Sequence, residues 1–216
     1  MSDLMQTTPD RRTLKRLATR QSISDAATRL FWERGFENVT VDEIAAAAGV
    51  GRMTVFNYFA RKEDMFFDRE AEGRDLLHEA LQQRSPDVSP LETLRLLAHR
   101  LVAERAPYIA FSPASQSFMR TIEGSPTLKA RARAIRDEMA QEVAEALSES
   151  IGRVPDDPDV QLAAGQLLAI WTVAFIQAHT SFRNGASPEA AQKIFLDLVD
   201  KGTHGLKAAM AGTPYV

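Results

Sequence analysis

Thr40 to Lys62 reads TVDEIAAAAGVGRMTVFNYFARK, and the punctuation of this stretch decides the fold. Thr40 is placed to cap the free amide of Glu43, and Glu43 to reach back, the reciprocal pair that opens a helix. Val39 is placed to staple onto Ile44. Ile44, Ala45 and Ala48 form one apolar side, and Gly49 supplies the permissive backbone for a sharp turn before a second helix opens near Arg52. A turn this short leaves two crossed helices. On the second, Val55 and Phe59 are four apart and face inward, which sends Arg52, Met53, Thr54, Asn57 and Tyr58 toward solvent or a ligand.

Crossed helices with an alanine-rich contact and a glycine turn occur in many small helical proteins, so the upstream residues carry weight. Ile23, Ala26, Ala27, Leu30 and Phe31 recur at i, i+3, i+4, i+7 and i+8, a stripe that closes a three-helix core with the other two. Gly35 ends that first helix, and Phe36 is positioned to fold back. The outcome is the outline of a DNA-reading module.

Phe31 to Gly35, Thr40 to Glu43, Ile44-Ala45, Ala48-Gly49-Val50, Thr54, and Phe56-Asn57-Tyr58-Phe59 through Lys62-Glu63 resemble the TetR family of one-component transcriptional regulators. The resemblance covers roughly fifty residues at the family's spacing, and the rest of the chain is similar only in architecture. It implies that Arg52, Met53, Thr54, Phe56, Asn57 and Tyr58 face DNA bases or the adjoining groove. It also implies that Thr40 and Lys62 hold phosphates. Two positions depart from the pattern: Gly51 stands where Ser or Thr is usual, removing a side-chain cap, and Phe56 stands where tyrosine is common, removing a hydroxyl donor.

The whole chain has 216 residues and a formal charge of -3, but the charge is unevenly divided. Residues 11–62 hold ten Lys or Arg against five Asp or Glu, and residues 63–216 hold sixteen against twenty-two. Only the front of the molecule favours DNA. Arg11, Arg12, Lys15, Arg16 and Arg20 read alone as a solvated tail; beside this motif they suggest an arm touching phosphates or the minor groove. The expected organisation is a flexible basic arm over 1–15, a helix-turn-helix domain over 16–62, and a helical effector-binding and dimerisation domain over 63–216. With 44% hydrophobic and 25% charged residues the composition is that of an ordinary soluble protein. No run of about eighteen apolar residues stands out as a membrane span, and MSDLMQTTPDRR lacks the apolar core of a signal peptide, so a cytoplasmic location is expected. With no cysteine and four scattered histidines, neither a metal site nor a cofactor is expected.

Beyond residue 62 the chain cuts itself into helices. Ser89-Pro90, Ser112-Pro113, Ser125-Pro126, Asp157-Pro158 and Ser187-Pro188 each put a capping side chain before a proline suited to the first helical position. With one more helix from near Lys62 to about Arg84, the region holds six, and the all-α chain about nine. The charges of the helix after Pro126, Arg131 and Glu142 among them, read as a solvent face. The helix from Pro158 to Phe182 is apolar on nearly every turn and spans roughly 38 Å. In the resembled family the last two helices form a four-helix dimer interface, which points to Leu162, Leu168, Ile194, Phe195 and Leu198.

The same resemblance implies an effector cavity whose occupancy is coupled reciprocally to DNA binding. Phe111, Phe118, Met119, Ile122, Trp171, Phe175 and His179 are the candidates to line it, suiting a small apolar or aromatic molecule. Each is also an ordinary core residue type. The functional expectation is a homodimeric transcriptional repressor on a palindromic operator, released by a small molecule. A second reading keeps the fold as a partner-binding adaptor or chromosome-associated factor without induction. Catalysis is not expected, since paired Glu-x-x-His motifs, G-x-S-x-G, G-x-x-x-x-G-K and H-E-x-x-H are all missing.

Overall fold

A computed structural model describes residues 10–216. Those residues form ten α-helices and two short 3₁₀ turns, with no strand among them, as the all-α reading requires. The chain divides into two compact units that meet at Asp68 and Arg69, six residues beyond the boundary expected from the sequence.

Unit one contains α1 (Arg11–Arg34), a 3₁₀ turn (Phe36–Asn38), α2 (Val41–Ala47), α3 (Arg52–Tyr58) and α4 (Lys62–Phe66). Residues 1–9 of the expected flexible arm lie outside the described residues. Residues 11–15, expected in the same arm, are instead the opening turns of α1, because the Asp10 carboxylate accepts from the amides of Arg12 and Thr13 and caps the helix. The core is the anticipated stripe: Ile23, Ala27, Ile44 and Val55 are fully buried and Phe36 nearly so. Burying each of the larger side chains contributes about 1.5–3 kcal/mol. Phe36 folds back from Gly35, its ring 5.1 Å from that of Phe31 and 5.9 Å from that of Phe66.

Unit two contains α5 (Glu70–Gln82), α6 (Pro90–Ala103), a 3₁₀ turn (Pro107–Ile109), α7 (Pro113–Gly124), α8 (Pro126–Glu149), α9 (Pro158–Arg183) and α10 (Pro188–Ala209). Ser89, Ser112, Ser125, Asp157 and Ser187 all cap the helices they precede. The single helix expected from Lys62 to about Arg84 is two, α4 and α5, which brings the count to ten. Its break has a local cause: the Asp68 carbonyl accepts from the Arg20 guanidinium at 3.3 Å and the Asp68 carboxylate accepts from the Ser24 hydroxyl. Asp68 is thereby held on α1 instead of continuing a helix.

Two further expectations need correcting. Charges on α8 do more than face solvent: Arg131 pairs with Glu70 at 3.0 Å and Glu138 at 2.8 Å, and Glu142 with Arg74 at 2.8 Å, so α8 is tied to α5. And α9, with 26 residues and a mean hydropathy of 1.5 over its most apolar eighteen, is long and apolar enough to cross a membrane by length and composition. Its apolarity has a use within the unit, since Val160, Ala163, Ala164, Leu167, Ala174 and Ala178 are buried and α8 and α10 pack against it. At Gly202 a side chain would meet Ile170 Cγ2 at 2.6 Å, so only glycine lets α10 approach α9 this closely.

Candidate nucleic-acid interface and effector cavity

The helix-turn-helix is closed at both ends by hydrogen bonds the sequence specifies. At the start of α2 the Glu43 carboxylate accepts from the Thr40 amide and hydroxyl, each at 2.8 Å, while the Glu43 amide donates to the Thr40 hydroxyl at 3.3 Å. The Arg34 guanidinium donates to the same carboxylate at 2.7 Å. The Thr40 backbone, then Arg34 and the Thr40 hydroxyl, hold the Glu43 carboxyl down to about 2 from its usual 4.5. At the end of α2, the Val50 amide donates to Ala45 O at 3.0 Å and the Gly49 amide to Ala46 O at 3.2 Å. This double closure needs a left-handed residue, and Gly49 takes it at φ +67°. Gly51 then opens α3 without a side-chain cap.

Val55 and Phe59 are buried and turn the remainder of α3 outward. At 100° per residue, Met53 and Asn57 stand nearly opposite Val55. Met53, 72% exposed, is the most exposed large apolar residue described. Arg52, Phe56 and Asn57 are exposed, and Thr54 and Tyr58 half-buried at the edges. Arg52 does not wander: its guanidinium donates to Asp42 at 2.8 Å and lies 5.6 Å from the centre of the Phe56 ring. The face thus presents one oriented cation, one amide, a thioether and an aromatic edge. That combination suits hydrogen bonding and van der Waals contact with base edges in a major groove.

Unit two encloses a partly open cavity of about 300 Å³. Trp171 and Phe175 line it from α9, Leu76 and Leu77 from α5, Leu97 and Leu101 from α6, Met139 from α8 and Phe195 from α10. Beside it, the His179 ring packs 4.4 Å from Phe175 and 4.9 Å from Phe111, with the Gln116 side-chain amide donating to the His179 carbonyl at 2.8 Å. Burial, reinforced by Arg183, pushes His179 down to about 4, so its imidazole is neutral near pH 7.

Residues 23–68 match the family model described as bacterial regulatory proteins, tetR family. Over these residues the chain is similar to that family. Among curated relatives, the transcriptional regulator MftR of Mycobacterium tuberculosis is 50% identical over 48 residues, 22% of this chain and 24% of that one. The regulator AcrR of Shigella flexneri is 46% identical over 48 residues, 22% of each. These matches therefore span about a quarter of the curated relatives' length. The similarity of fold reaches further. A TetR-family regulator from Mesorhizobium loti MAFF303099 aligns with a TM-score of 0.56 and 20% identity, covering 90% of this chain and 98% of that one. FadR of Thermus thermophilus, solved in complex with lauroyl-CoA, aligns with a TM-score of 0.55 and 24% identity over 88% and 94%.

The TetR-like pattern brings Arg52, Met53, Thr54, Phe56, Asn57 and Tyr58 onto one short helix, but the two residues expected at phosphates are engaged inside the unit. Both donors of Thr40 go to Glu43, so its role here is capping. The Lys62 ammonium donates to the carbonyls of Phe36 at 2.8 Å and Val39 at 3.0 Å and sits 4.1 Å from the centre of the Phe36 ring. Lys62 thus clamps the loop that leads into α2, with one proton left to give. The Asp42 partner of Arg52 was missed by sequence reasoning, although an acid on the first turn of α2 facing the first turn of α3 was its available signal.

Of the seven cavity candidates only Trp171 and Phe175 line the cavity. Phe111 and His179 are buried in the wall behind, and Phe118, Met119 and Ile122 are half-buried on α7 away from the lining. The missed walls, α5, α6 and α8, carry ordinary helical apolar spacing with no mark of a ligand. Of the five dimer candidates, Leu168 and Phe195 point inward to the cavity, Phe195 being 1% exposed and edge-on to Trp171 at 6.0 Å. Leu162 is exposed, and Ile194 and Leu198 line a shallow surface groove. Val173 and Ile176, also exposed, extend the Leu162 stripe at spacings of eleven and three residues, a face sequence reasoning could not separate from the buried one.

Proposed function

We propose that this chain is a DNA-binding transcription factor, acting as a homodimer on a palindromic operator and released by a small apolar or aromatic effector in the cytoplasm. The observation that carries the reading is the outward face of α3, where Arg52, Met53, Phe56 and Asn57 are exposed beside a core that fixes the helix. In the dimer the two α3 helices enter successive major grooves, with half-sites about 34–36 Å apart. Arg52 reads a guanine through its paired N–H groups, while Met53, Thr54, Phe56, Asn57 and Tyr58 contact base edges or the groove wall. Lys62 supports that face through the loop it clamps and gives its remaining proton to a phosphate. Repression follows from occupancy of a promoter site. The exposed stripe of Leu162, Val173 and Ile176, with Ile194 and Leu198, supplies the dimer face. The cavity of unit two supports a sensor over an adaptor.

Fluorescence anisotropy on an operator selected from random DNA, against scrambled DNA, tests the reading. Arg52→Ala should lose about 1–3 kcal/mol on the operator and far less on scrambled DNA. Equal losses on both DNAs would overturn the assignment of Arg52 as the base reader. Binding by the unaltered protein that does not distinguish the two DNAs would overturn the regulator itself.

A further inference from the structure

The cavity of unit two is unusually strict about charge. Thirteen residues line it, and none has an ionisable side chain. Arg74, next to the lining residue Gly73, is paired with Glu142 at 2.8 Å. The His179 imidazole, 4.4 Å from the ring of the lining residue Phe175, is kept neutral near pH 7 by its burial. An ion entering this space would give up its water with no opposite charge to receive it.

Polar atoms come from two neighbours on α9. Leu168, Trp171, Thr172 and Phe175 follow i, i+3, i+4 and i+7, so one face of the helix presents all four. The Trp171 indole N–H is buried without an acceptor. Three helical threonines of the unit, Thr93, Thr121 and Thr180, hand their hydroxyls to the carbonyl four residues back at 3.0, 2.9 and 2.8 Å, while Thr203, away from the cavity lining, is buried without a partner. Thr172 makes no such bond among the described residues. The Thr172 hydroxyl therefore stands without an acceptor on a residue of an otherwise apolar lining, and its neighbour Trp171 carries a buried N–H that is also unpaired.

Size narrows the class further. A cavity of about 150 Å³ holds benzene, so about 300 Å³ corresponds to roughly two fused rings or a chain of about ten heavy atoms. We propose that the cavity takes an uncharged molecule of that size, with an apolar body and one oxygen acceptor oriented by the Thr172 hydroxyl, the Trp171 N–H being the second donor. The proposal rests on the reading of unit two as effector-binding and names the chemistry of the effector.

The chain has two tryptophans, and Trp32 lies in unit one, so Trp32→Phe leaves Trp171 as the only indole. Its emission is followed at about pH 7.5 with three probes of one body, 2-nonanone, nonanoate and nonylammonium. The ketone should bind saturably and at least about tenfold more tightly than either ion. Thr172→Val, of the same shape, should weaken the ketone about fivefold without lowering thermal stability. Either ion binding as tightly as the ketone, or no saturable response to the ketone, overturns the ligand class. Unchanged ketone affinity in Thr172→Val overturns the orienting role. The same ketone titrated into the protein–DNA complex separates the two levels. Tight binding without DNA release sinks the effector reading and leaves the ligand class intact. Release by ions and ketone alike sinks the ligand class and leaves the effector reading.

Discussion

The reading face of unit one and the cavity of unit two are built in opposite ways. Every residue of the face lies between Asp42 and Tyr58, and the bonds that hold it run over short stretches of sequence, as in the Thr40–Glu43 box, the Gly49 turn and the Asp42–Arg52 pair, with the Lys62 clamp as the long-range exception. The cavity draws on α5, α6, α8, α9, α10 and the turn at Ile109, from Gly73 to Phe195. A site made of local contacts is fixed by caps and turns; a site made of distant helices is fixed only by how their apolar faces interlock. Damage to the first should therefore appear mainly in DNA binding, and damage to the second mainly in stability.

The sharpest way to break that contrast is Phe195→Ala. Phe195 is 1% exposed and meets Trp171 edge-on, so its truncation should destabilise unit two by about 3–5 kcal/mol. Denaturant unfolding followed by Trp171 emission reads the loss. If stability held and the protein instead became monomeric, Phe195 would belong to a subunit interface and the inward placement of this face of α10 would be wrong.

Lys62→Met is the next largest test and probes the face from behind. Methionine keeps an apolar stem over Phe36 but removes two hydrogen bonds from an ammonium to the carbonyls of Phe36 and Val39. The loss should be about 2 kcal/mol in unit one, read by Trp32 emission. The salt dependence of DNA binding should also flatten by about one counterion. A destabilised domain with an unchanged salt slope would make Lys62 a clamp alone and remove it from the phosphate contacts.

How much was legible follows from the same contrast. The Thr40 cap, the Gly49 turn, the Val55–Phe59 inner edge and all five cap–proline starts were readable because each is set by residues within a few positions of one another. The clamp made by Lys62 was missed because its carbonyl partners lie 23 and 26 residues away in a loop whose path periodicity does not give. Phe195 and Leu168 were misjudged for a related reason. Leu168 lies on α9, which is apolar on several faces, and Phe195 meets it from α10, so neither helix's sequence says which apolar stripe meets its own core. Phe111 and His179 were near the cavity and still not in its lining, since His179 packs its ring on Phe175 and Phe111 packs on His179 in turn.

The smallest expected effect is the one that tests local construction most directly. The Glu43 carboxyl is held near 2 in the folded unit and returns toward 4.5 when unfolded, so the unfolded chain binds more protons between those values. Its contribution is then fully present above about pH 4.5 and is lost as pH falls toward 2. Glu43→Gln keeps an oxygen for the Thr40 amide but has no charge for Arg34 to meet. The variant should be less stable than the unaltered protein near pH 6, with the gap closing on acidification through that window, read from Trp32 unfolding midpoints at several pH values. A gap that stayed constant with pH would mean that the shape of the capping box matters and its charge does not. A gap that widened in acid would reverse the sign of the coupling and remove the Arg34–Glu43–Thr40 network as the reason α2 starts where it does.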